Sequence, residues 1–228
     1  MVQQTLKPSD NMSDELSTFD VRPVDRERIP PGQTQTRKWP VLHYGGVPSV
    51  DPAAWQFEFR GLCAAPAHFT LGEIQAMPRQ VTRCDIHCVT RWSRLDNDFE
   101  GVSVQHLLRM AQPLPEATHV MVFAEQGFTT NLPMADLDRA ENVLAWKHDG
   151  VDLTEDHGWP MRLVVPHLYF WKSAKWVRGF EFMNADAPGF WERNGYHMYG
   201  DPWKEQRHRG LDVKQWMVNA FRSKSKGE

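Results

Sequence analysis

The sequence predicts a mixed α+β fold in which strands outnumber helices, and three observations carry that reading. Trp55-Gln-Phe-Glu-Phe59 alternates apolar and polar side chains with the period of two expected of a half-buried strand. His119-Val-Met-Val-Phe123 and Met161-Arg-Leu-Val-Val165 are short apolar runs suited to buried strands. Asp149-Gly150 stands between Val143-Leu-Ala-Trp146 and Val151-Asp-Leu153, and this dipeptide favours the positive backbone angles of a tight hairpin.

The remaining elements follow in order. The first strand ends at Gly61, and Thr70-Leu-Gly-Glu73 has the capping-box spacing of a short helix that Pro78 stops. The cysteine-rich segment after it reads as irregular. Ser103 is placed to cap a helix carrying Leu107 and Leu108, and Phe128 to Leu132 is expected to pair beside the 119–123 strand. A loop from Pro166 to Lys175 leads to a strand over Trp176-Val-Arg-Gly-Phe-Glu-Phe182. Pro188 to Arg209 mixes glycine, aromatic and charged residues without a period, and Leu211 to Phe221 has helical spacing at Leu211, Trp216 and Val218. The ten tryptophans are dispersed and no internal repeat is visible, so the expected organisation is an N-terminal arm over residues 1–36, one domain over 37–222 and a tail over 223–228.

A chain of 228 residues, 41% hydrophobic and 24% charged, can bury a substantial core. Its net charge of −3 gives no global basic field, which argues against nucleic acid as a partner. No apolar run approaches membrane-spanning length, so no membrane insertion is expected. The three cysteines, Cys63, Cys84 and Cys88, form no disulfide framework. With no apolar secretory core near the N-terminus, a reducing, cytoplasmic setting is the expectation.

Cys84-Asp-Ile-His-Cys88 is the densest set of potential metal ligands, and sulfur and imidazole bind borderline or soft metals. Structural zinc would want a second ligand pair of similar spacing, which Cys63 and scattered histidines do not supply. Covalent haem would want Cys-x-x-Cys-His, which is absent. Read alone, the segment fits buried small residues at least as well as a metal site.

The wider pattern adds more. Cys84-Asp-Ile-His-Cys-Val-Thr-Arg-Trp-Ser-Arg-Leu-Asp96, followed by Phe99-Glu-Gly-Val102, resembles the cysteine segment of small sulfite-oxidase-like molybdopterin proteins. Asp156-His-Gly-Trp-Pro-Met-Arg-Leu-Val-Val-Pro166 with Ser173-Ala-Lys-Trp176 is similar to the pterin-binding segment of the sulfite oxidase family. Trp39-Pro-Val-Leu-His-Tyr-Gly-Gly-Val-Pro48 is a weaker third match. The resemblance implies the α+β fold of that family's molybdopterin-binding domain and a mononuclear molybdenum-molybdopterin cofactor.

It also implies roles. Cys88 would be the molybdenum ligand, joining the two dithiolene sulfurs. Arg162 and Lys175 would hold the cofactor phosphate, with Ser173, Ala174 and His157 beside them, because a phosphorylated pterin needs cations and hydrogen-bond donors. His43, Tyr44 and Glu125 fall near other pterin contacts, and an acidic Glu125 would have to face the ring rather than the phosphate. His87 and Arg91, next to the ligand cysteine, are candidate catalytic residues. His87 would relay protons or pack; Arg91 would attract an oxyanion or pair with Asp96 or Asp98.

The sequence departs from the animal enzymes: Val89-Thr-Arg-Trp92 follows the cysteine where they carry basic residues at once, which puts sulfite in doubt. The stretch after Phe182 is short, so neither their immunoglobulin-like domain nor their haem domain is expected. Gly189 to Trp203 resembles the extension of small bacterial members and is expected to wrap the core. The leading reading is an oxidoreductase moving an oxygen atom or two electrons, with a small-molecule substrate and an external electron-transfer partner. The alternatives are a molybdopterin carrier without turnover and a zinc-binding interaction module on Cys84, His87 and Cys88.

Overall fold

The computed structural model describes residues 26–210. The predicted helix from Leu211, the tail and most of the predicted arm lie outside the described residues. Among the described residues, eleven strands form two sheets, accompanied by four short α-helices.

One sheet is built on β2 (Gln56–Gly61), β3 (Ala67–Thr70), β6 (His119–Ala124), β7 (Thr129–Pro133) and β11 (Val177–Met183), in the order β3-β2-β11-β6-β7. Only the β2–β11 pairing is parallel. The alternation read at Trp55–Phe59 buries Phe57 and Phe59 against Phe180, at ring separations of 5.1 and 6.4 Å. Each buried phenylalanine is worth about 1.5–3 kcal/mol of transfer free energy. Helix α1 (Leu71–Gln75) starts at the predicted capping box, with Glu73 N–H donating to Thr70 Oγ1 and the Glu73 carboxylate accepting from Thr70 N–H.

The second sheet corrects the sequence reading most. The cysteine-rich segment expected to be irregular is the long hairpin β4 (Arg79–His87) and β5 (Trp92–Ser103). Its strands mix charged and apolar residues with a register shift between Cys84 and Ile86, so no clean alternation shows in the sequence. β1 (Thr34–Gln35), inside the predicted arm, pairs in parallel with β5 at Trp92 and Ser93.

β8 (Val143–His148) joins β5, and β9 (Val151–Asp152) and β10 (Arg162–Val164) flank β8. The Asp149-Gly150 turn is present, with φ of 48° and 82°, the paired positive values a two-residue hairpin needs. Helix α2 (Val104–Ala111) follows Ser103, whose side chain makes no capping hydrogen bond, and buries Val104, Leu107, Leu108 and Ala111. α3 (Met134–Leu137) and α4 (Phe190–Arg193) are single turns. The main core unites residues of both sheets, including Phe57, Leu107, Val122, Leu144, Leu163 and Phe180; a smaller one gathers Ile86, Phe99, Val143, Ala145 and Val164.

Candidate cofactor site

A cleft of about 370 Å³ opens where the β4–β5 turn, the loop after β10 and the chain from Trp39 to Gly45 meet. It is lined by His43, Tyr44, Cys88, Glu125, Arg162, Ser173, Ala174 and Lys175, so eight residues chosen from sequence, scattered along the chain, face one space.

Cys88 is the first residue of the turn between β4 and β5. Its N–H donates to Trp92 O at 2.8 Å, its carbonyl accepts from Arg91 N–H at 3.0 Å, and Arg91 takes a φ of 76° to complete the reversal. The thiol is buried and lies 3.1 Å from Thr90 Oγ1. Burial pushes it above the ordinary thiol value, while Thr90 and the Arg207 cation pull the other way. Cys84 packs with the smaller core, and burial followed by Asp85 pushes its thiol up to about 12.

Arg162 has 1% of its surface exposed and pairs with no carboxylate among the described residues. Its Nη1 donates to His157 O and its Nη2 to Ser173 O, both at 3.0 Å, while Nε has no partner. Its guanidinium lies 4.2 Å from the Phe170 ring centre and 5.2 Å from that of Trp39. Burial pulls it down to about 9, which leaves it cationic at neutral pH.

Lys175 donates to Asp156 O, and burial followed by Arg162 pulls its amine down to about 7. Gly158 brings these two cations together: it takes a φ of 110°, and a Cβ there would stand 3.0 Å from Lys175 Cβ and 3.1 Å from Arg162 Cβ. Ser173 Oγ accepts from Val165 N–H at 2.9 Å, which leaves its hydroxyl proton free to donate.

Glu125 accepts from Arg178 Nη1 at 2.8 Å, so its charge is compensated before any anion enters. His43 donates through Nδ1 to Gly45 O, and Tyr44 stands 66% exposed at the rim. His157 lies behind the wall, stacked on Trp39, with Nδ1 buried and unpartnered; burial and Arg162 hold it neutral, at about 4.

Besides His157, two sequence candidates do not line the cleft. His87 is buried with Nδ1 2.8 Å from Ser93 Oγ, and burial depresses it to about 4, so it packs as a neutral ring. Arg91 is exposed, and its Nη1 lies near Gly32 on the outer side of the turn, in company with Glu205 and Arg207. The pairing of Arg91 with Asp96 or Asp98 is not made either: Asp96 takes Arg28 and Arg83, and Asp98 takes Arg83. The zinc reading fails on the same geometry. Cys84, His87 and Cys88 go to separate surroundings, and no three potential ligands converge among the described residues.

Sequence reasoning missed the aromatic wall. Trp39, Phe128, Trp171, Phe190, Trp191 and Tyr196 line the cleft, three of them from the segment expected only to wrap the core. Trp191 and Tyr196 stack at 4.8 Å. The signal was present as aromatic density between Phe190 and Trp203, but without a period it gave no face.

The site therefore offers a soft ligand, a buried arginine and a half-buried lysine with no carboxylate partner among the described residues, and apolar aromatic walls, the donor set a phosphorylated, metal-bearing pterin dithiolene needs. The chain belongs to a family of molybdenum-cofactor oxidoreductases: residues 44–191 match the oxidoreductase molybdopterin binding domain. It is 49% identical over 181 residues to the uncharacterized oxidoreductase YuiH of Bacillus subtilis, a match covering 79% of this chain and 91% of that one. It is also 31% identical to the putative protein-methionine-sulfoxide reductase subunit YedZ1 of Azospira oryzae, over 75% of this chain and 66% of the relative. The fold is similar to that of the sulfane dehydrogenase SoxCD of Paracoccus pantotrophus, with a TM-score of 0.60 at 22% identity, covering 67% of this chain and 43% of that one. No helix among the described residues is long and apolar enough to cross a membrane.

Proposed function

We propose that this chain removes an oxygen atom from small uncharged S-oxides or N-oxides, using molybdenum-molybdopterin bound in the cleft and electrons from an external redox partner. The carrying observation is the charge inventory of the cleft. Arg162 and Lys175 are its lining arginine and lysine, and this reading assigns both to the cofactor phosphate; Glu125 is held by Arg178. No lining guanidinium or ammonium is left to draw in sulfite or nitrate, whereas Trp171, Trp191 and Tyr196 give an uncharged, apolar-flanked substrate area to bury.

In this reading Cys88 is the metal ligand, and bound there the cofactor supplies the oxygen-atom or two-electron chemistry. Arg162 and Ser173 orient the phosphate end, and Lys175 adds a compact charge. Trp39 and Phe170 line the cleft, and their rings lie against the Arg162 guanidinium. Tyr196 lines the cleft and, its value pushed up to about 12 by burial, keeps its phenol proton, so this reading assigns it as a donor to the substrate oxygen. The free thiols support a cytoplasmic setting.

The test is turnover of the loaded enzyme with a reduced dye, comparing dimethyl sulfoxide and trimethylamine N-oxide with nitrate, and sulfite in the oxidising direction. Reduction of the neutral oxides with kcat/KM at least tenfold above the anions is expected. Preferred turnover of sulfite or nitrate would overturn the substrate class, and wild-type turnover by Cys88→Ser would remove Cys88 as ligand.

A further inference from the structure

We infer that Gln33 and Arg207, neither of which lines the cleft, are positioning residues that fix the Cys88 turn from outside; the inference rests on the reading of Cys88 as the metal ligand. A hairpin tip is ordinarily the least constrained part of a strand pair, yet a metal ligand has to be held to within a fraction of an ångström. Within the hairpin, two backbone bonds, Arg91 N–H to Cys88 O and Cys88 N–H to Trp92 O, and the Cys88 thiol–Thr90 hydroxyl contact brace this tip, and Arg91 occupies a left-handed conformation that favours glycine.

The missing restraint comes from two distant segments. Gln33 Nε2 donates to Cys88 O at 2.9 Å. Arg207 Nη1 donates to Val89 O at 2.7 Å, and its Nη2 reaches Pro31 O at 3.4 Å, so one planar guanidinium ties the turn to the strap that carries Gln33. Thr34 N–H then closes on Arg91 O at 2.9 Å. Three carbonyls of a four-residue turn thus accept hydrogen bonds from residues far away in sequence.

Arg207 is itself fixed: 5% of its side chain is exposed, its guanidinium lies 4.9 Å from the Tyr169 ring centre, and Glu205 stands 3.7 Å away. A buried cation held against a backbone carbonyl beside the ligand cysteine restrains both the direction of the Cα–Cβ bond and the local field.

The experiment uses the full chain with its cofactor and, in parallel, cofactor-free protein, comparing wild type, Arg207→Met, Arg207→Lys and Gln33→Leu. Gln33 sits on a surface strap, so its variant keeps the fold even where Arg207→Met does not. Amide exchange at residues 88–92 is read in the cofactor-free protein, and the thiolate-to-metal absorption band in the loaded protein. Loss of one charge-assisted hydrogen bond is expected to speed exchange about tenfold in Arg207→Met, and less in Gln33→Leu. Both variants are expected to shift or broaden the band, with Arg207→Lys intermediate.

Unchanged exchange in both variants would show that the clamp does not hold the turn. Faster exchange with an unchanged band would show that it holds the turn without setting the ligand, which also overturns the proposal. If wild type has no band that Cys88→Ser abolishes, the ligand assignment is what fails, and exchange still reports whether the turn is clamped.

Discussion

Lys172 Nζ and Glu192 Oε1 meet at 2.6 Å with neither side chain exposed. The lysine also donates to Asn131 O, Asn131 Oδ1 and Met198 O, and Trp171 Nε1 donates to the same glutamate oxygen at 2.9 Å. The pair lies under the aromatic wall: Trp171 and Lys172 come from the loop between β10 and β11, and Glu192 from α4 with Phe190 and Trp191. It fastens the C-terminal extension to the cofactor cleft.

Removing one partner strands a buried charge. Glu192→Ala is expected to cost about 3–5 kcal/mol in denaturant unfolding, whereas the double change Lys172→Met with Glu192→Leu recovers most of the loss. A cost below about 1 kcal/mol for the single change would mean that the extension is held by apolar packing alone.

Arg162→Met keeps the apolar bulk between Phe170 and Trp39 but removes the buried cation. Pterin and molybdenum per chain are expected to fall at least tenfold in parallel, measured by elemental analysis and by the fluorescent oxidation product of the pterin. Full occupancy would take Arg162 out of the phosphate site.

Lys175 gives a pH dependence with a defined sign. Its folded value of about 7 lies below its ordinary value of 10.5, so between those limits the unfolded chain binds more protons. The cofactor-free protein is therefore expected to gain stability from Lys175 as pH rises from about 7 toward 7.5, short of the range near 8.5 where the unfolded cysteines titrate. Lys175→Met is expected to flatten that slope in unfolding titrations. Bound phosphate raises the amine's value and removes the effect, so a slope unchanged by cofactor would place the anion elsewhere.

His148 and His157, together with His87, contribute to the acid limb. Burial holds each at about 4, below the ordinary 6.5, so their contribution is fully present above about 6.5 and is lost as pH falls toward 4. Proton uptake on unfolding at pH 5, measured by calorimetry in several buffers, is expected to drop in His157→Gln. No drop would mean that the ring behind Trp39 is already protonated in the native state.

Trp191→Ala opens the wall while leaving Cys88, Arg162, Ser173 and Lys175 in place. KM for neutral S-oxides is expected to rise about tenfold, the order expected for losing the apolar contact of a half-buried indole, with molybdenum content retained. Equal loss of metal would make Trp191 part of the cofactor cradle.

The sequence by itself determined the strands whose chemistry is local. The Trp55–Phe59 alternation, the Thr70–Glu73 box and the Asp149-Gly150 turn each form within a few residues, and each appears where the pattern places it. Resemblance carried over one residue at a time found eight residues of one cleft, because a cofactor's chemistry dictates its donors whatever the intervening chain.

The tertiary structure alone decided the rest. Sequence spacing cannot say which face of a turn a side chain takes, and the fold sends Cys88 inward, Arg91 outward and His87 into a packed bond with Ser93. Gln33 and Arg207 reach the cysteine turn, and Glu192 reaches Lys172, across sequence separations that no periodicity spans. Such contacts arise only when the sheets have packed and buried polar groups must find partners, which is a property of the assembled core rather than of any segment within it.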